Sequence, residues 1–304
     1  MKARQLIRKP NFKDGFTLIE LLFAMTFLAI LLLVIALLIV HIITIYQKGL
    51  SIRAISSTGR ELIDDMTRSI GASPLYDFDD ARFDTDGTDG LSEQEQIAAR
   101  TQYFFQVYKS FDIDGSGINQ TLPAFGAFCT GTYTYLYNTA YSINANRDTA
   151  TYIYTDSKGV EQRIGAPYTA PFKLLKITDM GREICTQMIA DDLTIKQDHS
   201  TFTVLNNGGV DPVKMIDADE SDLALYDFQV FPVVQNRITG HSFYSSSFIL
   251  ATLRGGVNIL SNGNFCEEPH YTLATDFAYC AVNKFNFAMR ATGEVDHDLD
   301  YGSR

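Results

Sequence analysis

Gly15-Phe16-Thr17-Leu18-Ile19-Glu20 sets one carboxylate at the mouth of an apolar run that extends from Leu21 to Val40, broken only by Thr26. An isolated carboxylate at the edge of hydrocarbon is costly unless another group neutralises it. No basic residue lies within the run. The expected partner is therefore on another molecule, and the expected chemistry is charge pairing between stacked subunits.

The elements that must position Glu20 follow from the flanking sequence. Twenty apolar residues at about 1.5 Å each cover roughly 30 Å, the thickness of a bilayer core. Lys2, Arg4, Arg8, Lys9 and Lys13 precede the run, so the N-terminus is expected in the cytoplasm and the body outside. A secretory signal peptide has a shorter apolar region and a small-residue cleavage site; Ile42-Ile43-Thr44-Ile45-Tyr46 offers none. No proline occurs between Phe16 and Ser73, and Gly71-Ala72-Ser73-Pro74 then supplies a stop. One helix is predicted from about Phe16 to Ile70. Its first half is apolar all round; its second is amphipathic, with Ile52, Ile55, Leu62, Met66 and Ile70 on one stripe and Gly59 in line. Arg60–Asp64 and Asp64–Arg68 are candidate ion pairs on the polar face. The chain divides into a basic leader (1–15), a membrane and assembly half-helix (16–46), an amphipathic half-helix (47–73) and an exported body (74–304).

The chain has 304 residues, enough for an anchor and a substantial core. Five of its 25 basic and one of its 36 acidic residues fall in the leader, leaving 20 basic and 35 acidic groups. Such a body is a poor general partner for nucleic acid. Within it, 75–91 reads as a loop, and Ser92-Glu93-Gln94-Glu95 as a capping box opening a helix to Phe111 with Ile97, Phe104, Tyr108 and Phe111 buried. Strands are expected at Thr132–Ser142, Phe172–Thr178, Phe202–Leu205, Leu223–Val233, Phe243–Leu253 and Cys280–Arg290. Thr149–Thr155 and Val160–Ile164 read as a hairpin about Asp156-Ser157-Lys158-Gly159. The fold class is α+β: a long N-terminal helix followed by a body rich in antiparallel sheet.

Cys129, Cys185, Cys266 and Cys280 all fall in the exported body. An even count in an oxidising compartment favours disulfides, and three connectivities can be drawn. Cys266–Cys280 is preferred because the two are close in sequence and bracket a loop; Cys129–Cys185 follows by elimination. Asp112-Ile113-Asp114-Gly115-Ser116-Gly117 matches the first half of a calcium loop, with Asp112, Asp114 and Ser116 as alternate oxygen ligands. Pro123 stands where the closing bidentate Glu belongs, so calcium would need a distant acid. Asp84–Gly90 is a similar run. The competing reading makes both runs turns at the ends of the 92–111 helix. The sequence holds no Gly-x-Ser-x-Gly, no His-Glu-x-x-His and no phosphate-binding glycine loop, and its five histidines show no paired spacing. No enzymatic activity is expected.

Over residues 10–45 the basic leader, Gly15, Phe16, Glu20 and the apolar helix resemble the processing and assembly signature of type IV prepilins and pseudopilins. The resemblance implies cleavage between Gly15 and Phe16 by a prepilin peptidase, N-methylation of Phe16, and a pilin-like body. It implies that Glu20 meets the Phe16 ammonium of a neighbouring subunit in a filament. It implies as partners other pilin subunits, the peptidase and methyltransferase, an inner-membrane assembly platform and, before assembly, the bilayer. Ala29 and Leu37 occupy positions where major pilins often carry Gly or Pro, and the chain is long for a major pilin. Both favour a J- or W-type minor pilin or pseudopilin that initiates or caps a filament at the cell surface. The alternatives are a pseudopilin of a secretion system and a single-pass anchored adhesin or enzyme.

Overall fold

The computed structural model describes residues 17–72, 104–112, 119–130, 132–179, 184, 201–206, 211–216, 222–236, 241–253, 260–261, 265–266 and 280–291. Two compact units are present, 1–47 and 48–304. Helix α1 (Leu18–Gly71) contributes to both.

In the first unit α1 is apolar on every side and none of its membrane-length window is buried. In the second unit its residues Ile55, Gly59, Leu62, Met66, Ser69 and Ile70 are buried. Their alternating spacing of four and three keeps one face of the helix on the body over four turns. Ile52, expected on the same stripe, is half exposed; burial begins one turn later, at Ile55. Neither Arg60–Asp64 nor Asp64–Arg68 forms an ion pair, and the engaged acid is the adjacent Asp65.

The body is built from strands β1 (Phe104–Asp112), β2 (Asn119–Cys129) and β3 (Tyr133–Asn138), helix α2 (Ala140–Ala145), and strands β4 (Thr149–Thr155), β5 (Glu161–Ile164), β6 (Leu174–Thr178), β7 (Thr201–Asn206), β8 (Val213–Ile216), β9 (Leu223–Asn236), β10 (His241–Thr252), β11 (Leu260–Ser261), β12 (Phe265–Cys266) and β13 (Val282–Ala291). Five of them form an antiparallel sheet in the order β1-β2-β3-β6-β8. A second antiparallel sheet runs β13-β10-β9. The hairpin β4–β5 gains β7 as a parallel neighbour of β4, and β11 pairs with β12.

Both faces of the five-stranded sheet are covered, so β2 reads as a nearly continuous buried run from Pro123 to Cys129. On one face Phe128, Tyr135, Tyr137 and Leu174 join Ile55, Leu62, Met66 and Ile70 of α1 and Phe228, Phe248 and Met289 of the second sheet. On the other, Phe105, Phe125, Leu136, Leu175 and Ile177 meet Tyr141 of α2, Tyr152 of β4 and Tyr226 of β9. Burying each such side chain contributes about 1.5–3 kcal/mol. Asn138 ties the hairpin to this sheet. Its Nδ2 donates to the carbonyls of Phe172 (2.9 Å) and Ala150 (3.3 Å), and its Oδ1 accepts the Ala150 N–H at 2.7 Å.

Several expectations are corrected. Phe104–Phe111, expected as the end of the 92–111 helix, lies instead in strand β1. Phe104, Tyr108 and Phe111 do not share one helical face: Phe105 and Phe111 point to one core, and Phe104 packs on Phe228 of the other. The aromatic and β-branched run Phe104-Phe105-Gln106-Val107-Tyr108 suits a pleated ribbon, and β2 supplies its partner. Residues 92–103 lie outside the described residues, as do 75–91. The Tyr-rich strand at 132–142 ends at Asn138, after which Ala140–Ala145 is helical. Strands β2, β8, β11 and β12 answer to no sequence expectation. The hairpin about Asp156 and the strands at β6, β7, β9, β10 and β13 fall where they were expected, give or take a few residues.

Candidate functional site

The mouth of α1 is organised by two residues. Leu18 opens the helix and the Thr17 carbonyl accepts the Leu21 N–H at 3.2 Å, so Thr17 is the N-cap and Glu20 the third helical residue. The Thr17 N–H and Oγ1–H both donate to Glu20 Oε2, at 3.0 and 2.8 Å. The Glu20 N–H donates back to Thr17 Oγ1 at 3.4 Å. This reciprocal arrangement is a capping box: it satisfies two of the N–H groups that a helix start leaves open. Its signature, Thr-x-x-Glu before an apolar run, stands in the sequence. Reading Glu20 only as an intermolecular partner passed over it.

The capping leaves half of the carboxylate unused. Glu20 is exposed, and among the described residues its Oε1 accepts no hydrogen bond from the chain. Around it Leu18 is 83% exposed, and Ile19, Leu21, Leu22 and Phe23 are all more than half exposed. An acceptor oxygen in a collar of bare apolar side chains suits a donor or cation brought by another molecule. Further along, the Thr26 and Thr44 hydroxyls donate to the carbonyls of Phe23 (2.9 Å) and Val40 (3.0 Å), so neither leaves a free polar group on the apolar surface. By length and composition α1 can cross a membrane.

Gly15 and Phe16, the expected cleavage and methylation positions, lie outside the described residues. Of the calcium candidates, Asp112 is the exposed last residue of β1, paired with Asn119 of β2. Asp114 and Ser116 lie outside the described residues. Asp112 thus flanks a β-hairpin connection, not the end of a helix, which removes the helix-capping alternative for this run. Among the described residues no three His, Cys, Asp or Glu side chains gather as metal ligands would. Cys266 and Cys280 are disulfide-bonded to each other, with Cα atoms 5.9 Å apart. Cys129 is also disulfide-bonded. Its expected partner, Cys185, lies outside the described residues. His41 sits in the apolar half of α1 and is exposed.

Two polar clusters in the body were not anticipated. Under α1, Lys176 and Tyr135 converge on Asp65. Between β1 and β9, Gln106, Tyr108, Gln229 and Asp227 form a chain of hydrogen bonds. No family model, curated protein or solved structure matches the chain.

Proposed function

We propose that the chain is a minor type IV pilin or pseudopilin that is trimmed after Gly15, methylated at Phe16, and built into a filament through its apolar helix. The observation that carries this reading is the half-used carboxylate of Glu20 at the start of the exposed apolar stretch of α1. Its free oxygen is the natural acceptor for the Phe16 ammonium of a neighbouring copy or relative. Two opposite charges in hydrocarbon are each costly alone and far less so paired, so the pair would fix the axial register of one subunit on the next.

The same reading accounts for an exposed apolar helix in the first unit and, in the second, an α+β body stapled by a disulfide. The body is the exported part, and the bare half is the part that stacks. The subunit acts by priming or capping assembly and not by catalysis.

The N-terminus of the protein from its native host tests this directly. Mass spectrometry of membrane and surface fractions should find chains beginning at methylated Phe16. An intact Met1 leader in every fraction would sink the reading and reduce the motif to a membrane anchor.

A further inference from the structure

The three-stranded sheet β13-β10-β9 buries one face and shows the other. Phe228, Phe248 and Met289 point into the core. On the opposite face Ser245 lies between Phe231 and Ala288 in one row, and Phe243 faces Arg290 in the next. Phe231 and Phe243 remain 55% and 42% exposed. The Arg290 guanidinium carbon sits 5.5 Å from the centre of the Phe243 ring. Side chains alternate along a strand, so Lys284 of β13 shares the outer face with Arg290, and both are exposed. The acid of this face among the described residues is the half-buried Asp227, which flanks Ile249 opposite Lys284.

The body-bound part of α1 borders β13: Gly59 lies against the Phe285 ring and Gly71 faces the Arg290 carbonyl. At 3.6 residues per turn, Arg53 and Arg60 precede Gly71 by about five and three turns, so they stand on the same flank of the helix. Both are exposed, as is Asp64, which shares that flank. Four cations and two bare phenyl rings thus gather on this side of the body, against Asp64 and Asp227. Among the described residues none of the four cations has an ion-pair partner. This local balance reverses that of the chain, which has 20 basic and 35 acidic groups outside the leader.

We propose that this face docks the acidic body of the neighbouring subunit in the filament, a claim that rests on the filament reading above. Exposed aromatic rings beside arginine are the side chains that protein interfaces favour, and the surplus of cations selects an acidic partner surface. The same charges fix the kind of contact. Two copies meeting through this face alone would set basic against basic, so a symmetric dimer is disfavoured. A head-to-tail contact sets the basic face of one body on the acidic surface of the next, and such contacts propagate along a filament. The sheet part of the face measures about 20 by 10 Å, well short of the roughly 800 Å² per partner of a stable complex. It therefore reinforces neighbours whose helices already hold them together, where the local concentration is high.

The test uses the full chain in its native host, with a photo-reactive benzophenone amino acid in place of Phe243. Irradiation of filaments should join position 243 to an acidic stretch of another subunit that begins at a processed N-terminal Phe, as read by mass spectrometry of the adduct. Lys284→Glu combined with Arg290→Glu should lower both the adduct and the filament-bound fraction several-fold, while the N-terminus still begins at Phe16. Lys284→Arg combined with Arg290→Lys keeps the charges and should retain most of both. An adduct to residues 294–301 of the same chain, or to nucleic acid or polysaccharide, overturns the docking. So does a processed, filament-bound chain that gives no adduct, or one whose charge-reversed form gives as much as the wild type. A chain that keeps its Met1 leader in every fraction overturns the filament reading, and the docking with it.

Discussion

The Lys176 ammonium of β6 lies 2.8 and 3.0 Å from the two carboxylate oxygens of Asp65 on α1. Tyr135 reinforces the pair by donating to Asp65 Oδ2 at 2.8 Å, with Ser69 Oγ also within 2.8 Å of its hydroxyl. Lys176 also rests 4.3 Å from the centre of the Tyr133 ring. Burial drives the Tyr135 hydroxyl pKa upward, so it stays a donor at every working pH. The Lys176 and Asp65 side chains are 14% and 26% exposed, so removing one leaves the other poorly solvated. Asp65→Ala should therefore cost about 2–4 kcal/mol in denaturant unfolding. Asp65→Leu combined with Lys176→Met should recover much of that loss, because apolar replacement removes both desolvation penalties. A double variant as unstable as the two single losses added together would show that the pair is not the source of the effect.

Gly59 meets the ring of Phe285 from β13 so closely that a Cβ there would overlap it. Phe285 is not free to swing aside, because it stacks on Phe248 at 4.9 Å. Alanine gains about 1 kcal/mol over glycine in a helix, whereas forcing a methyl into a packed core costs about 1–3 kcal/mol. Gly59→Ala should thus be net destabilising. In a Phe285→Ala background the overlap is gone, and the same change should become stabilising by about 0.5–1 kcal/mol. Unfolding midpoints of the four proteins check this; an unchanged sign would mean that the ring is not what reserves the site for glycine.

How far the sequence announced these features depends on how local they are. The run from Leu18 to Gly71 is a helix because nothing in it stops one, and its stripe from Ile55 to Ile70 was readable from period alone. The Asp156 turn and the alternation of Phe285, Phe287 and Met289 were equally local. Strand β1 was not, because Phe104, Tyr108 and Phe111 fit helical spacing as well as an extended one, and only pairing with β2 decides. Pro123 hid β2; it is tolerated beside a bulge, where Val107 pairs with Phe125 and Tyr108 with Pro123, leaving Ala124 as the extra residue. Which of the adjacent acids Asp64 and Asp65 faces the body is fixed by where Lys176 lies, more than a hundred residues away in sequence. The capping box at Thr17 was legible but was obscured by the louder intermolecular reading of Glu20.

The Asp156 carboxylate organises the β4–β5 turn. Its Oδ1 accepts the N–H groups of Val160 (2.8 Å) and Lys158 (2.9 Å), and its Oδ2 accepts Gln162 Nε2–H at 3.1 Å. These donors, the Val160 N–H foremost, hold its pKa below the usual range. A depressed folded pKa means that the contribution is present above the unfolded value of about 3.9 and is lost as pH falls through the folded one. Amide shifts of Lys158 and Val160 should move together in that acidic window, and Asp156→Asn should flatten both curves. Independent midpoints for the two amides would dissolve the shared acceptor.

Glu20 has two separable duties, because its Oε2 caps the helix while its Oε1 is left for another molecule. Glu20→Gln keeps an acceptor for Thr17 but removes the charge; Glu20→Leu removes both. Thr17→Ala weakens the cap by about 1 kcal/mol and leaves the charge. If pairing with a neighbour's ammonium drives assembly, Glu20→Gln and Glu20→Leu should both insert into membranes normally yet enter filaments poorly. The expected fall is tenfold or more, since each loss of about 1.4 kcal/mol is a factor of ten. Only Glu20→Leu should speed exchange of the Thr17 N–H, and only Thr17→Ala that of the Glu20 N–H. Quantifying membrane-bound and filament-bound protein for the three variants separates the duties. Wild-type incorporation of Glu20→Gln would mean that the cap, and not the charge, is what the helix mouth requires.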